Sequence, residues 1–272
     1  MKLAWLPLGL ALLAQPTQPS VAVFSGEDYG YPQAPGDPAE SAILWATERS
    51  FTGAFPFCVG YFRGDRYEEA GAGWHTDYPN AGDHFRQRLE ELTHIRVGPQ
   101  VVVKFDDPLI TRCPVVFASD VGIVRFTDSE VAGLRAYLEK GGLLWVDDFW
   151  GTFALMQWVE EFARVWPEPF LPITPDHELH AMLYQVPAVP QVPNVGYWGQ
   201  AQGYETSERG ADSKDVHFWG AWNAKGRLVA LMTHNTDIQD TWEEESVAPF
   251  FLEFAPTGYA LGVNVVLYAL SH

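Results

Sequence analysis

Two adjacent aspartates, Asp147 and Asp148, follow a short apolar run at residues 143–146 and precede an aromatic pair that includes Trp150. A carboxylate at the end of a buried strand is costly to bury unless it binds a ligand or is paired. Ligands of open α/β sheets gather where the parallel strands end. These aspartates are therefore candidates for acid–base or metal chemistry, and a helix cap or salt bridge is the structural alternative.

A second polar cluster, residues 234–243, follows another apolar run. It contains His234, Asn235, Asp237 and Asp240, so imidazole, amide and carboxylate groups lie close together in the chain. Such a mixture suits a divalent cation, a sugar or a hydrolytic water. The spacing does not match an EF-hand loop. The alternative is a polar loop whose side chains satisfy its own backbone turns.

A third cluster, residues 176–180, carries two histidines but differs from the zinc-protease motif. The motif needs a second histidine where this chain has Ala181, so a zinc protease is not expected. His177 is the more useful candidate, and we expect it to face the same sheet edge as Asp147.

The loop at residues 71–79 is rich in glycine and aromatic side chains. Thr76 occupies the third glycine position of a dinucleotide-binding fingerprint, and a Tyr-Pro pair follows, which disfavours such a cofactor site. Trp74 and Tyr78 either line the mouth of a pocket or cover the sheet edge, and Asp77 between them is a further ligand-binding candidate. The chain contains neither a G-x-S-x-G elbow nor a P-loop motif.

Alternating apolar runs and helical stripes predict the elements that position these residues. A capping box at residues 127–130 and a glycine pair at 141–142 bound one helix clearly. The order of elements predicts a mostly parallel sheet with helices on both faces. The predicted strands are 56–62, 101–105, 115–118 and 143–146, and the predicted helices are 83–94, 128–140 and 153–164.

Two later runs, residues 217–222 and 228–233, flank a turn and predict a β-hairpin added to that sheet. An apolar helix at residues 256–270 is expected to close the chain.

The N-terminus is typical of an exported protein. Lys2 precedes an apolar run at residues 3–14, and Ser20 and Ala22 provide small residues for a cleavage site, which predicts a signal peptide over residues 1–22. We expect a secreted or periplasmic protein without a membrane-spanning segment after cleavage. A Pro/Gly-rich arm or linker over 23–54 and one domain over 55–272 complete the predicted organisation.

Composition narrows the class of protein. The chain has 272 residues, 47% of them hydrophobic, and a formal charge of −18 from 17 basic and 35 acidic side chains. A core of one or two domains is therefore expected, and a nucleic-acid partner is not. In an oxidising compartment Cys58 and Cys113 could form a disulfide across neighbouring strands, and two buried thiols are the alternative.

These segments, taken in order, resemble a bacterial family, the domain of unknown function 4159. The resemblance covers roughly residues 55–272. The matching segments are 74–79, 126–131, 141–151, 164–167, 176–177, 190–194, 234–237, 240–243 and 262–264.

The family is similar to the class I glutamine amidotransferase-like superfamily, which implies a flavodoxin-like three-layer sandwich. Active amidotransferases carry a nucleophilic cysteine at a strand-to-helix elbow and a histidine downstream. Here the corresponding elbow, residues 147–151, has no thiol, and both cysteines lie toward strand starts. The resemblance therefore implies the fold but not glutaminase activity.

Three hypotheses for function follow. The first is a hydrolase in which a carboxylate or histidine, with or without a divalent metal, activates water against a small or carbohydrate-like substrate. The second is a binding protein in which Trp150 or Trp242 stacks on a sugar ring. The third is a protein-interaction module in a membrane-associated assembly that uses the acidic surface and residues 23–50. The side chains assigned to catalysis are Asp147, Asp148, His177 and His234.

Overall fold

The computed structural model describes Pro38, residues 42–66 and residues 71–272. The expected signal peptide, residues 1–22, and most of the expected arm lie outside the described residues. The end of that arm lies along the sheet: Trp45 forms a parallel bridge with Val102, and the Val102 amide donates a hydrogen bond to the Leu44 carbonyl at 2.9 Å.

A seven-stranded sheet forms the centre of the protein, in the order β2-β1-β3-β4-β7-β6-β5. The first five strands in this order are parallel, and β6 and β5 are antiparallel to their neighbours. The predicted sheet and the predicted β6–β7 hairpin are thus confirmed. The strands are β1 Phe55–Tyr61, β2 Val97–Lys104, β3 Val115–Ser119, β4 Leu143–Asp147, β5 Leu171–Pro172, β6 His217–Trp222 and β7 Leu228–His234.

The helices cover the sheet in two groups, which gives a mixed α/β fold consistent with a three-layer sandwich. Helices α1, α5 and α6 contact one another, and α2 contacts α3. The α-helices of the described residues are α1 Asn80–Thr93, α2 Asp128–Glu139, α3 Gly151–Val165, α4 Val195–Gln200, α5 Asp240–Glu243 and α6 Ala248–Ser271.

Helix α2 begins at the predicted capping box. The Glu130 amide donates to Thr127 Oγ1 at 3.2 Å, and the Thr127 amide donates to Glu130 Oε2 at 2.8 Å. Each side chain satisfies an amide that the first turn leaves without a helical partner. The local sequence is therefore sufficient to fix where this helix starts.

Helix α6 begins eight residues earlier than predicted, and Pro256 lies inside it. Proline removes one helical hydrogen bond, but Phe250 and Phe254 before it are buried, so packing outweighs that loss. By length and composition α6 could span a membrane. However, 61% of the 18-residue apolar stretch that meets this criterion is buried in the protein, as in a core helix. Helix α6 thus contributes to the core.

The short helix α5 fits against α6 because α6 has glycines where the two meet. A Cβ at Gly258 would lie 2.0 Å from Thr241 Oγ1, and one at Gly262 would lie 2.7 Å from the Trp242 ring. Trp242 itself is fully buried and packs on Phe85, with ring centroids 4.2 Å apart. The α5 turn is therefore held by close packing against α6 and by the buried Trp242 side chain.

Cys58 in β1 and Cys113, just before β3, form a disulfide with Cα atoms 6.1 Å apart. Both residues are buried, and β1 and β3 are neighbours in the sheet. Of the two alternatives considered for the cysteines, the paired one is therefore observed.

We expect the Cys58→Ala/Cys113→Ala variant to lose about 2–4 kcal/mol of unfolding free energy, because the disulfide restricts the unfolded chain. Urea unfolding monitored by circular dichroism measures this loss. Reductant should destabilise the wild type and leave the variant unchanged. Two free thiols in the denatured, unreduced wild type would contradict the pairing.

Candidate functional site

Three carboxylates, one from the loop before α1 and two from the segment after β7, meet at the carboxyl edge of the parallel strands. Asp77 lies in the loop before α1, Asp237 follows β7, and Asp240 begins α5. One carboxylate oxygen from each of these three lies within 4.8 Å of the other two. Each of the three side chains is at most 4% exposed, so the cluster is almost completely removed from solvent.

Asp147 orients the loop that carries the cluster. Its Oδ2 accepts a hydrogen bond from the Gln239 amide at 3.0 Å, and its Oδ1 accepts one from Thr233 Oγ1 at 2.5 Å. Trp145 Nε1 in turn donates to Thr233 Oγ1 at 2.8 Å. Burial raises the pKa of Asp147 to about 7 although these hydrogen bonds favour its charged form.

A second chain of hydrogen bonds holds Asp77. Gln239 Nε2 donates to Ser119 Oγ at 2.6 Å, and Ser119 Oγ donates to Asp77 Oδ2 at 2.5 Å. Gln239 therefore links Asp147 through its backbone and Asp77 through its side chain. Asp237 Oδ1 accepts a hydrogen bond from the Asp240 amide at 2.9 Å, which ties the Asp237 side chain to the start of α5.

Two oxygens of the cluster have no hydrogen-bond donor. Asp77 Oδ1 and Asp240 Oδ2 are both buried and unpartnered. Gln100 Oε1 is a third buried acceptor without a donor, and with Asp77 it lines a cavity of about 10 Å³. Buried acceptors without a partner are rare because each one costs about 1–3 kcal/mol. The cluster thus lacks a positively charged or hydrogen-donating group.

The electrostatics of the cluster are those of crowded like charges. Burial, and then the charge of Glu243, raises the pKa of Asp77 well above its ordinary value. Burial also raises the pKa of Asp237, with Asp148 and Asp240 adding to it, and that of Asp240, with Asp77 and Glu243 adding to it. Within the described part of the chain, no lysine or arginine forms an ion pair with Asp77, Asp237 or Asp240.

The backbone turns sharply at each of the three neighbouring strand ends. Asp120, Asp148 and Asn235 are the first residues after β3, β4 and β7, and their φ angles are +50°, +51° and +62°. Asp and Asn tolerate this left-handed conformation better than other residues with a side chain. Asp148 therefore has a backbone role, and Trp150 Nε1 donates to its Oδ1 at 3.0 Å.

His234 does not join the carboxylates. Its neighbour Thr233 contacts Asp147, so His234 points to the opposite face of the sheet, where its Nε2 lies 3.0 Å from the Gly151 carbonyl. A carbonyl only accepts, so Nε2 carries the proton. The Nδ1 atom then accepts a hydrogen bond from His217 Nδ1 at 3.0 Å.

The prediction that His177 faces the same edge as Asp147 is wrong. Its ring packs against Trp222 and Tyr268, and Tyr268 accepts a hydrogen bond from the Leu228 amide at the start of β7. His177 Nδ1 also accepts a hydrogen bond from the Leu179 amide at 3.2 Å, which gives it a local capping role. Asp147, His177 and His234 therefore do not converge.

The aromatic and amide candidates have mainly structural contacts. Trp242 is fully buried, and Trp150 is 6% exposed, so neither presents an open face for stacking. Asn235 Oδ1 accepts a hydrogen bond from the Gly151 amide at 2.8 Å, and this contact holds the start of α3. Trp74 and Tyr78 line the small cavity beside Asp77, and their rings pack on each other with centroids 5.5 Å apart.

Three residues of the site, Ser119, Asp120 and Gln239, are absent from the sequence-based prediction. Asp120 follows β3 directly, so the strand-end rule that selects Asp147 also applies to it. Its Oδ2 accepts a hydrogen bond from the Gly73 amide at 2.7 Å. Ser119 and Gln239 have no such signal, since their role depends on which side chains meet in space.

We expect His234 to stay neutral until about pH 4, because burial, aided by the charge of His217, lowers its pKa to about 4. The unfolded chain takes up this proton near pH 6.5, so the contribution of His234 to the unfolding free energy should fall as the pH drops from about 6.5 to 4. Above that range the group contributes no pH dependence. Histidine NMR titration measures the midpoint. The control is His234→Gln, which should lack this contribution to the pH dependence of the unfolding free energy. A His234 midpoint near 6.5 would refute the assignment.

Comparison with known proteins agrees with the resemblance noted in the sequence. No curated protein matches the chain. A family model described as "Domain of unknown function (DUF4159)" matches residues 65–270, which is 206 of 272 residues. The matched region contains Asp77, Asp147, Asp237 and Asp240, and therefore the whole carboxylate cluster. The chain belongs to the DUF4159 family.

Proposed function

We propose that this protein binds a divalent cation through Asp77, Asp237 and Asp240 and uses it to hydrolyse a small substrate. The observation that carries the proposal is the pair of buried, unpartnered oxygens, Asp77 Oδ1 and Asp240 Oδ2. A bound cation gives both oxygens a partner and offsets the repulsion among the carboxylates. Water in the same position would satisfy hydrogen bonds but would leave the charges uncompensated.

The chemistry of the three ligand atoms indicates which cations suit the site. All three side chains offer carboxylate oxygen, and no histidine of the described residues belongs to the group. Oxygen-only sites favour Mg²⁺, Ca²⁺ or Mn²⁺ over Zn²⁺. Such a cation lowers the pKa of a water that it binds, which supplies the nucleophile for hydrolysis.

The surrounding residues support this role by position. Asp147 and Ser119 both bind Gln239, which lies between Asp237 and Asp240 in the chain. Their task in the proposal is to hold the ligands, rather than to attack substrate. The sugar-stacking alternative has less support, because Trp242 and Trp150 are buried.

The proposal includes a fold relationship and a compartment. The parallel sheet with its carboxyl-edge site supports the amidotransferase-like fold relationship, and the strand-to-helix elbow at residues 147–151 lacks the cysteine that glutaminase activity needs. The Cys58–Cys113 disulfide supports export, since such bonds persist in oxidising compartments.

Export predicts a processed N-terminus. Cleavage after Ala22 should leave a mature chain that begins at Val23, because Ser20 and Ala22 fit the small-residue positions of the cleavage site. N-terminal mass spectrometry of the protein from its native host measures this. An intact N-terminus on protein recovered from the cytoplasm would contradict export.

Cation binding predicts a large thermal shift. After treatment with EDTA, saturating Mg²⁺, Ca²⁺ or Mn²⁺ should raise the melting temperature by about 5–10 °C. This follows from about 2.7 kcal/mol of stabilisation at a hundredfold excess over Kd. Asp77→Asn and Asp240→Asn should remove the response. Without cation these variants should be at least as stable as the wild type, because each removes a buried charge.

Asp106→Asn is a matched control. Asp106 is an exposed aspartate outside the cluster, and an asparagine can still accept its hydrogen bond from Ser129. This variant should respond to the cations as the wild type does. The cation proposal fails if none of the three ions shifts the wild-type melting temperature, or if Asp77→Asn and Asp240→Asn respond like Asp106→Asn.

A further inference from the structure

Asp240 belongs to two groups of carboxylates. In the inner group it meets Asp77 and Asp237, and in the outer group it meets Glu243 and Glu244. In both groups the three carboxylate oxygens lie within 4.8 Å of one another. The inner group is buried, whereas Glu243 and Glu244 are partly exposed, so the carboxylates extend from the interior to the surface.

The α5 turn creates this arrangement. Residues 240, 243 and 244 are spaced i, i+3 and i+4, so their side chains lie on one face of the turn. Trp242 points the other way and is buried among Phe57, Phe85 and Tyr259. Because the tryptophan fixes the turn, the three carboxylates all lie on the side of the turn away from Trp242.

The charges of the two groups together exceed what one cation balances. The five carboxylates carry five negative charges when ionised, and none forms an ion pair with lysine or arginine in the residues that the structure describes. One divalent ion leaves three of these charges, and two leave one. Glu243 Oε1 accepts a hydrogen bond from the neutral Asn80 side-chain amide at 3.2 Å, which does not balance its charge.

Asp240 is the residue that both groups need. It is 3% exposed, its Oδ2 has no hydrogen-bond donor, and the carboxylates of both groups lie around it. A carboxylate has two oxygens and can bind two cations at once. Such shared ligands occur in two-metal sites, where the ions lie about 3.5–4 Å apart.

We propose that the site is binuclear, with an inner cation on Asp77, Asp237 and Asp240, an outer cation on Glu243 and Glu244, and Asp240 shared between them. This inference rests on the inner cation site proposed above. The outer ion lies nearer to solvent and is the one that meets the substrate, while the inner ion holds the loop ligands together. The substrate class is therefore one with an oxygen-bearing group that coordinates a cation.

Manganese provides the test, because its stoichiometry and its magnetic coupling can both be measured. We expect titration calorimetry of the EDTA-treated full chain to show two Mn²⁺ ions per protein. Two Mn²⁺ ions that share a carboxylate give an exchange-coupled EPR spectrum, which isolated ions do not. The EPR measurement uses the wild type alone, so it remains decisive even where a variant folds poorly.

Variants assign the outer site. Glu243→Gln/Glu244→Gln should bind one Mn²⁺ without coupling, and Glu253→Gln, an exposed glutamate on α6, should keep two. One ion in the wild type would overturn the binuclear site and leave the proposed function intact. No bound ion would overturn both. Two coupled ions in the double variant would overturn the assignment to Glu243 and Glu244.

Discussion

Repulsion among buried carboxylates at one sheet edge is the constraint on which this structure depends. Asp77, Asp237 and Asp240 are almost fully removed from water, and burial disfavours their charged forms. Domains of this size have a net stability of only about 5–15 kcal/mol, so such a cluster persists only where the surrounding structure holds it firmly. The rest of the edge accordingly consists of residues that hold it.

That support comes from short, directional contacts on three neighbouring strands. Trp145, Thr233 and Asp147 form one chain of hydrogen bonds, and Gln239 and Ser119 form another that ends on Asp77. The left-handed residues after β3, β4 and β7 turn the chain immediately where each strand stops. The cluster is thus fixed by the sheet itself and by one buried tryptophan, rather than by a flexible loop.

Local signals were sufficient for much of the fold. The capping box at Thr127 fixed the start of α2, and the rule that ligands gather at strand ends selected Asp147 and the segment after β7. Helix α6 started earlier than predicted because burial of Phe250 outweighed the proline signal. Only tertiary packing could reveal that extension.

The site was harder to predict, because it depends on which face of the sheet each side chain occupies. His234 and Thr233 are adjacent in the chain and lie on opposite faces, so only one of them reaches Asp147. Trp242 has polar neighbours in sequence, yet it fills the core. Sequence proximity to acidic residues therefore indicated the correct segment but not the correct side chains.

The uneven distribution of charge also bears on how molecules approach the protein. The chain carries a formal charge of −18, and Glu243 and Glu244 bring part of that charge to the rim of the cluster. Such a field accelerates the association of cations and slows that of anions, and added salt weakens both effects. Encounter rates at this edge therefore favour neutral or positively charged molecules over anions.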